Sequence, residues 1–349
     1  MKPPELDFRS DNTATVSPEL IDALHQANRG STPSYGADPW TAQLKTRMSE
    51  LFETDVRVFP VATGTAANAL ALAATCTSFG AVYCMPEAHI NISEWNATGF
   101  FGGGTKVVPV TGSHGKLEAA VLERALHDAG GWPHKTLPAA VNLVQATDMG
   151  QVYRADEVAA VSQVARAHGL KVHMDGARFA NAVAHLGCTP AHVTWKAGVD
   201  VLSFGVTKNG GLMADAIVVF SPDTAAQIEL HLLRAGLVWS KMRFASAQIM
   251  AYVNDGLWLR LARSANGAAA RVAAGMAGLD GVKLVHPVEA NEVFLNMAPA
   301  ALLALREAGV LFARRGDRLA RFVCRWDNTD REVEGLVAAI RHAALGAGD

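Results

Sequence analysis

Short, mainly apolar segments alternate with longer amphipathic segments over the first 220 residues of the chain. The short segments predict buried β-strands, and apolar positions that recur every three or four residues predict helices between them. The predicted strands are residues 56–60, 81–85, 106–110, 139–144, 170–174, 200–204 and 217–220. This alternation indicates an α/β fold with a mostly parallel central sheet and helices on both faces.

The pattern changes after residue 237. A long helix is predicted over residues 240–261, and the Asn266-Gly267 pair behind it marks a domain boundary. The remaining segments read as helix, strand, strand, helix, strand and helix, which predicts a small α+β domain. We therefore expect a large domain over residues 1–262, including the N-terminal arm, and a small domain over residues 263–349.

Composition argues against several classes of protein. The 349 residues are 50% hydrophobic and 18% charged with a formal net charge of −2, so no attraction to nucleic acid or to an anionic membrane is expected. The four cysteines are scattered, which disfavours a disulfide framework or a metal site. The chain shows neither an apolar run of membrane-spanning length nor a signal peptide, so we expect a cytoplasmic protein.

Two charged residues lie at the carboxyl ends of consecutive predicted strands. Asp175 ends the strand that begins at Leu170, and Lys208 follows the strand over residues 200–204. Ligands bind beyond these ends in an open α/β sheet, so the two side chains are expected to face one pocket. Pyridoxal phosphate, which uses a lysine for its Schiff base and an acid for its pyridinium nitrogen, is therefore the predicted cofactor.

Thr63, Gly64 and Thr65 open a predicted helix directly after a strand. The N–H groups at a helix start favour an anion, and a glycine lets a phosphate approach the backbone closely. Ordinary helix capping is the commoner role of such a sequence, so the phosphate interpretation depends on its context.

The other candidate side chains each have an ordinary structural role as an alternative. His89 can stack on a cofactor ring, but His89 and His134 also fit solvated loop histidines. Asp175 fits the N-cap of the next helix, Arg178 can simply pair with it, and Lys208 fits a solvated loop lysine. Their combined order along successive strand ends favours the cofactor site.

With these residues identified, the chain resembles the threonine aldolase family over essentially its whole length. The resemblance implies the fold type I architecture of pyridoxal phosphate enzymes, which is shared with aspartate aminotransferase. Its most specific motifs are His173-Met174-Asp175-Gly176-Ala177-Arg178 and residues 203–208, supported by Arg9-Ser10-Asp11, residues 35–39, Thr63-Gly64-Thr65, residues 88–90 and residues 320–323.

The resemblance assigns the cofactor contacts. It implies that Lys208 forms the Schiff base, that Asp175 bonds the pyridine nitrogen and that His89 stacks on the ring. It also implies further contacts with the cofactor or its phosphate, which are made by Thr63, Gly64, Thr65, Thr147 and Arg178, and by Lys241 and Arg243 from a neighbouring subunit.

The resemblance also assigns the substrate contacts. Ser10, Arg178 and Arg321 are expected to hold the substrate carboxylate, and His134 is expected to lie near the substrate hydroxyl. Sites of this family lie at a dimer interface, so we expect a homodimer or homotetramer in which Tyr35 reaches the partner's pocket.

Two parts of the chain depart from the family pattern. The usual Glu-Asn-Thr-His segment is replaced by Gln145-Ala146-Thr147-Asp148, so the role of that histidine is lost. Residues 209–212 and 238–243 resemble one bacterial subgroup more than the family at large. These changes leave the cofactor contacts in place and bear on substrate preference.

The implied activity is cleavage of a small L-β-hydroxy-α-amino acid, such as threonine, allo-threonine or phenylserine, to glycine and an aldehyde. His89 and His134 are the candidate bases for the β-hydroxyl proton, and the sequence does not choose between them. The alternatives are a phenylserine-preferring aldolase, another reaction of the same cofactor such as β-elimination or transamination, and a non-catalytic protein that binds the cofactor.

Overall fold

The computed structural model describes residues 6–129 and 136–346, and this part begins with a two-residue strand, β1 (Leu6–Asp7). Seven further strands form a central sheet, and each overlaps a predicted strand with ends that differ by at most two residues. They are β2 (Arg57–Val61), β3 (Gly80–Cys84), β4 (Lys106–Pro109), β5 (Leu137–Val144), β6 (Lys171–Gly176), β7 (Val201–Phe204) and β8 (Asp215–Val219).

The strand order across this sheet is β2-β8-β7-β6-β5-β3-β4. The neighbours from β7 through to β4 are parallel, whereas β8 runs antiparallel to both β7 and β2. The predicted mostly parallel sheet is therefore confirmed. The order also places β6 beside β7, with Asp175 opposite Ser203.

Helices cover both faces of the sheet. Val201 and Leu202 of β7 are both fully buried but pack in different hydrophobic clusters, because successive strand residues point to opposite faces. The helices of this part of the chain are α1 (Pro18–Ala27), α2 (Pro39–Leu51), α3 (Gly64–Thr75), α4 (His89–Ile92), α5 (Ala97–Phe101), α6 (Ala119–Ala129), α7 (Ala155–Ala167), α8 (Phe179–Leu186), α9 (Pro222–Arg234), α10 (Arg243–Val253) and α11 (Leu257–Gly275).

The single helix predicted over residues 240–261 is wrong, because the chain forms α10 and α11 there. The two helices are separated by the turn Asn254–Gly256, in which Asp255 and Gly256 have left-handed φ angles of 50° and 66°. Asn, Asp and Gly favour turns of this kind, since their side chains compete with helical hydrogen bonds or impose no steric limit on φ.

Helix α11 belongs to two hydrophobic cores. Its residues up to Ala262 pack in the core beside the central sheet, whereas Ala268 and Val272 pack in a second, smaller core. The expected boundary at residue 262 thus lies inside a helix, and the two-domain division stays a prediction.

The smaller core is built on an antiparallel sheet of order β12-β13-β10-β9. The N-terminal arm joins this part of the molecule, because β1 pairs with β11 and Phe8 is buried in the smaller core. The elements that complete the chain are β9 (Val282–Leu284), β10 (Glu292–Met297), α12 (Pro299–Glu307), β11 (Val310–Leu311), β12 (Ala313–Arg315), β13 (Leu319–Val323) and α13 (Asp330–Gly346).

The cysteines are all free thiols; Cys76, Cys84 and Cys324 are buried and Cys188 is half-buried. Within residues 6–129 and 136–346, no three His, Cys, Asp or Glu side chains are arranged to hold a metal ion. None of the helices in those ranges combines the length and the apolar character needed to cross a membrane.

Helix α12 offers a matched test of the smaller core. Leu302 is fully buried there, whereas the next residue, Leu303, is 55% exposed. We expect Leu302→Ala to lower the free energy of unfolding by about 2–5 kcal/mol, because it removes buried methyl groups and leaves a cavity. Leu303→Ala is expected to change it by about 0.5 kcal/mol or less. Urea unfolding measures both, and equal effects would contradict the assigned core.

Candidate active site

A cavity of about 330 Å³ lies beyond the carboxyl ends of β5, β6 and β7. Residues that follow these strands and β2 line it, as expected for a ligand site in an open α/β sheet. The predicted site residues in its wall are Thr63, Gly64, Thr65, His89, Asp175, Arg178 and Lys208. The fold therefore brings together predicted site residues from four separate segments of the sequence.

Lys208 is half-buried in a short 3₁₀ turn, Thr207–Asn209, that follows β7. Its ammonium group makes no hydrogen bond or ion pair with the residues that the structure describes. The turn itself is firmly held, since Asp215 Oδ1 accepts the N–H groups of Val206 and Thr207 at 2.8 and 2.9 Å. Burial raises the pKa of the Asp215 carboxyl.

Gly205 explains why this turn lies against the segment that carries Asp175. A Cβ atom at Gly205 would lie 2.4 Å from the carbonyl oxygen of Ala177, so a larger residue would push the two segments apart. The Gly205 N–H donates to the Gly176 carbonyl at 3.0 Å. Gly205, three residues before Lys208, thus permits a close approach between two main-chain segments.

Asp175 is almost fully buried at the end of β6. Its Oδ1 accepts the Ala177 N–H at 3.0 Å and its Oδ2 accepts an N–H of the Asn68 amide at 2.8 Å. The first bond is a local turn contact and not a helix cap, because α8 begins at Phe179 with Arg178 as its N-cap; the capping role that the sequence allowed for Asp175 is therefore wrong. No cation is among its described hydrogen-bond partners, so the cavity presents an anionic acceptor to a ligand.

Asn68 links Asp175 to His89 through a second buried acid. The Asn68 amide also donates to Glu94 Oε1 at 2.9 Å, and the same oxygen lies 2.7 Å from His89 Nδ1. This hydrogen bond to Glu94 raises the pKa of His89, against the opposing effect of burial. A continuous polar chain therefore connects the ring-stacking candidate with the acid at the cavity floor.

The sequence prediction missed both Asn68 and Glu94. Asn68 is the one polar side chain within the buried stretch of α3 from Ala67 to Ala73, and a polar residue in a wholly apolar helix was the available signal. Glu94 carried no such signal. It is the first of three consecutive residues with left-handed φ angles, Glu94, Trp95 and Asn96 (φ 56°, 49° and 59°). None of the three is a glycine, so the sequence does not indicate this bend.

Thr63 acts as the N-cap of α3, with its hydroxyl oxygen accepting the Ala66 N–H at 3.1 Å. The ordinary capping role is therefore present. The first N–H groups of a helix have no partner within it, so Gly64 and Thr65 still offer backbone donors to an anion at this end of the cavity.

Arg178 pairs with Asp11 rather than with Asp175. Its Nε and Nη2 donate to the two Asp11 oxygens at 2.7 and 3.1 Å, and both side chains are buried. The Asn291 amide donates to Asp11 as well, at 3.1 Å. Asp11 belongs to the Arg-Ser-Asp motif, but its role as the counterion of Arg178 was not predicted.

Glu292 joins the two arginines expected to hold a substrate carboxylate. Its Oε1 lies 3.6 Å from Arg178 Nη2 and 3.5 Å from Arg321 Nη1. Arg321 Nη2 donates to the Arg9 carbonyl at 3.4 Å, next to Ser10. Ser10, Arg178 and Arg321 thus belong to one connected cluster, although Ser10 and Arg321 are not in the cavity wall.

The remaining predicted residues lie elsewhere. The Thr147 hydroxyl oxygen accepts the N–H groups of Met149 and Gln151 in a turn behind the cavity wall. The Tyr35 side chain is 64% exposed, and its N–H donates to the Ser240 carbonyl, beside Lys241 and Arg243 at the start of α10. Lys241 is exposed and Arg243 half-buried. His134 lies outside the described residues.

Comparisons with known proteins identify the family of this chain. The family model described as beta-eliminating lyase matches residues 7–300. The chain is 45% identical to a low specificity L-threonine aldolase of a Pseudomonas species and 44% identical to one of Pseudomonas aeruginosa, in each case over 96% of both chains.

Solved structures agree on the fold. A threonine aldolase of Leishmania major superposes with a TM-score of 0.89 at 24% identity, over 98% of this chain and all of that one. A serine palmitoyltransferase of Sphingomonas wittichii superposes with a TM-score of 0.71 at 18% identity, over 98% and 88%. The fold type I architecture implied by the sequence is confirmed, and the chain belongs to the threonine aldolases of the beta-eliminating lyase family.

Proposed function

We propose that this protein is a pyridoxal phosphate-dependent aldolase that cleaves L-β-hydroxy-α-amino acids to glycine and an aldehyde. One observation carries the proposal: the Lys208 amine, unpaired among the described residues, lines the same cavity as the buried carboxylate of Asp175. The relatives of nearly equal length, named low specificity L-threonine aldolases, support it.

The cavity fits the chemical parts of pyridoxal phosphate. Lys208 would hold the aldehyde carbon covalently, Asp175 the protonated ring nitrogen, and the N-terminus of α3 the phosphate. His89 lies in the cavity wall and would contact the ring. When bound, the cofactor accepts the electron pair of the bond that breaks beside the substrate amine.

A substrate carboxylate fits the cluster formed by Ser10, Arg178 and Arg321. The charge of Arg178 is already balanced by Asp11, whereas Arg321 Nε is buried with no hydrogen-bond partner among the described residues. The Ser10 hydroxyl oxygen accepts the Asn12 N–H and retains its own proton for donation. Bidentate binding to arginine would orient the bond between the α and β carbons relative to the cofactor.

We infer a homo-oligomer in which each site includes residues of a second subunit. Tyr35 supports this, because it is a large exposed side chain on a loop that is fixed to Ser240 beside Lys241 and Arg243. Trp95 is fully exposed and follows Glu94 of the polar chain. An aromatic side chain exposed so close to a site is typical of an interface between subunits.

Product analysis tests the reaction. Incubation of the holoenzyme with threonine, allo-threonine or phenylserine is expected to release glycine and the matching aldehyde. β-Elimination, the reaction in the family description, would instead give a keto acid and ammonia. The relative rates across this panel identify the preferred side chain, and an absence of glycine release would reject the aldolase.

Lys208→Ala is expected to abolish the visible absorption band of the bound cofactor and to lower turnover about 10³-fold or more, because it removes the cavity amine proposed for covalent attachment and exchange. Lys45→Ala, which alters a surface lysine paired with Asp55, is the control and should behave as the parent. Full activity of Lys208→Ala would rule out the assigned site.

Glu94→Gln is expected to lower the pKa of His89, because the neutral amide no longer stabilises the imidazolium. The ring therefore loses its proton at a lower pH, which a proton NMR titration of the cofactor-free protein measures; His89→Gln identifies the signal. Glu123→Gln, which removes the surface partner of His168, should leave the His89 titration in place. An unchanged His89 titration in Glu94→Gln would contradict the hydrogen bond.

Mixing inactive variants tests the contribution of Tyr35. If Tyr35 acts in the partner's site, Tyr35→Ala should be impaired, and its hybrid with Lys208→Ala should regain activity, because one site then contains both parental residues. If Tyr35 acts in its own subunit, no hybrid site is intact. Activity that fails to return after subunits are shown to exchange would exclude the shared site.

A further inference from the structure

Asp148 is a carboxyl group in the cavity wall for which no role was predicted from the sequence. It replaces the histidine of the Glu-Asn-Thr-His segment and follows the end of β5. Its Oδ2 atom is buried and has no hydrogen-bond partner among the described residues. An unpaired buried acceptor costs free energy, so this carboxyl group in the cavity wall is expected to gain a partner when a ligand binds.

The other two carboxylates of the cavity wall are already engaged. Asp175 accepts hydrogen bonds from an amide side chain and a backbone N–H, and Asp215 accepts two backbone N–H groups. Among the carboxylates of the described wall, Asp148 is therefore the one with a buried unpaired oxygen. This makes it the acid most available to a substrate.

Asp148 borders the main cavity, which is large enough for a substrate. It also borders a second cavity of about 10 Å³, with Glu87, Asn142 and Thr147 in its wall. That volume holds about one water molecule, so no substrate group larger than water fits on that side.

Burial raises the pKa of Asp148 to about 6, assisted by the negative charges of Asp175 and Glu292 and opposed by Arg178 and Lys208. A carboxyl group with such a pKa is largely ionised at neutral pH but holds a captured proton far better than an ordinary aspartate. Glu87 and Tyr153 line the small cavity with Asp148, and the thiol of Cys84 is also near. Burial raises the pKa of Tyr153 and raises the pKa of Cys84 to about 12, so both of these groups stay neutral.

His89 is poorly suited to accept a proton. Its hydrogen bond with Glu94 raises the pKa of the imidazole and so favours the protonated ring. An imidazolium has no lone pair left for a substrate proton. The histidine that the sequence offered as one candidate base is thus biased toward the charged form, which suits contact with an electron-rich ring.

We propose that Asp148 is a catalytic residue that accepts the proton of the substrate β-hydroxyl group. The O–H bond breaks and its proton passes to the Asp148 carboxylate, while the oxygen electrons form the aldehyde C=O bond. The bond between the α and β carbons breaks, and its electron pair stays with the α-carbon fragment that becomes glycine once a proton is added there. This inference rests on the aldolase function proposed above.

Asp148→Asn tests the assignment, since it keeps the size of the side chain and removes its basicity. We expect threonine cleavage to fall about 10²–10⁴-fold. Exchange of the glycine α-proton with deuterated solvent, followed by NMR, should continue at the parental rate because glycine has no β-hydroxyl group. The absorption band of the bound cofactor should also be unchanged.

Glu87→Gln is the matched control, because Glu87 also has a buried unpaired oxygen but lies outside the main cavity. It should cleave threonine as the parent does. Parental cleavage by Asp148→Asn would overturn the proposal, as would an equal loss of cleavage and glycine exchange, which would assign Asp148 to the cofactor. If the parent itself forms no glycine from threonine, the aldolase function fails instead.

The parent enzyme provides a test that does not depend on folding of the variant. Threonine cleavage should decline as the pH falls through about 6, because protonated Asp148 cannot accept a second proton. Glycine exchange should show no decline with that midpoint. Coincident acid limbs for the two reactions would overturn the proposal, whether or not Asp148→Asn can be purified.

Discussion

The close main-chain contact between Gly205 and Ala177 is the constraint on which the site depends. It brings the turn after β7 against the turn after β6, so that Lys208 and Asp175 share one cavity although 33 positions of sequence separate them. The pairing of two parallel strands sets the distance between their ends, but it does not set how closely the turns beyond those ends approach each other. Because Gly205 has no side chain, the two turns can lie directly against each other.

Charge in the site is arranged as two separate networks. In the first network, the neutral Asn68 amide lies between Asp175 and Glu94 and donates a hydrogen bond to each. It thereby separates two buried acids that would otherwise repel each other. In the second network, acids and arginines alternate from Asp11 through Arg178 and Glu292 to Arg321. Replacing one member of such a buried ion pair by a neutral residue is expected to destabilise the fold, because the remaining charge would be left uncompensated.

The sequence was sufficient for the sheet and for the residues at its strand ends, because both depend on local periodicity and on the parallel topology. It failed for the break between α10 and α11, although Asn254, Asp255 and Gly256 interrupt the apolar pattern there with residues that favour turns. It also missed Asn68, Glu94 and Asp11. Their roles arise from contacts between distant segments, such as the bond of Asp11 to Arg178 across 167 positions, and no local pattern encodes such a partner.

The N-terminal arm links the two ends of the chain. β1 pairs with β11, the Thr15 N–H donates to Asp327, and Asp11 neutralises Arg178 in the site. The arm is synthesised long before the strand beside which it lies, because 304 positions separate Leu6 from its partner Val310. The cluster proposed to receive a substrate carboxylate can therefore form only after residues up to Arg321 have left the ribosome, so a nascent chain truncated before that residue cannot assemble it.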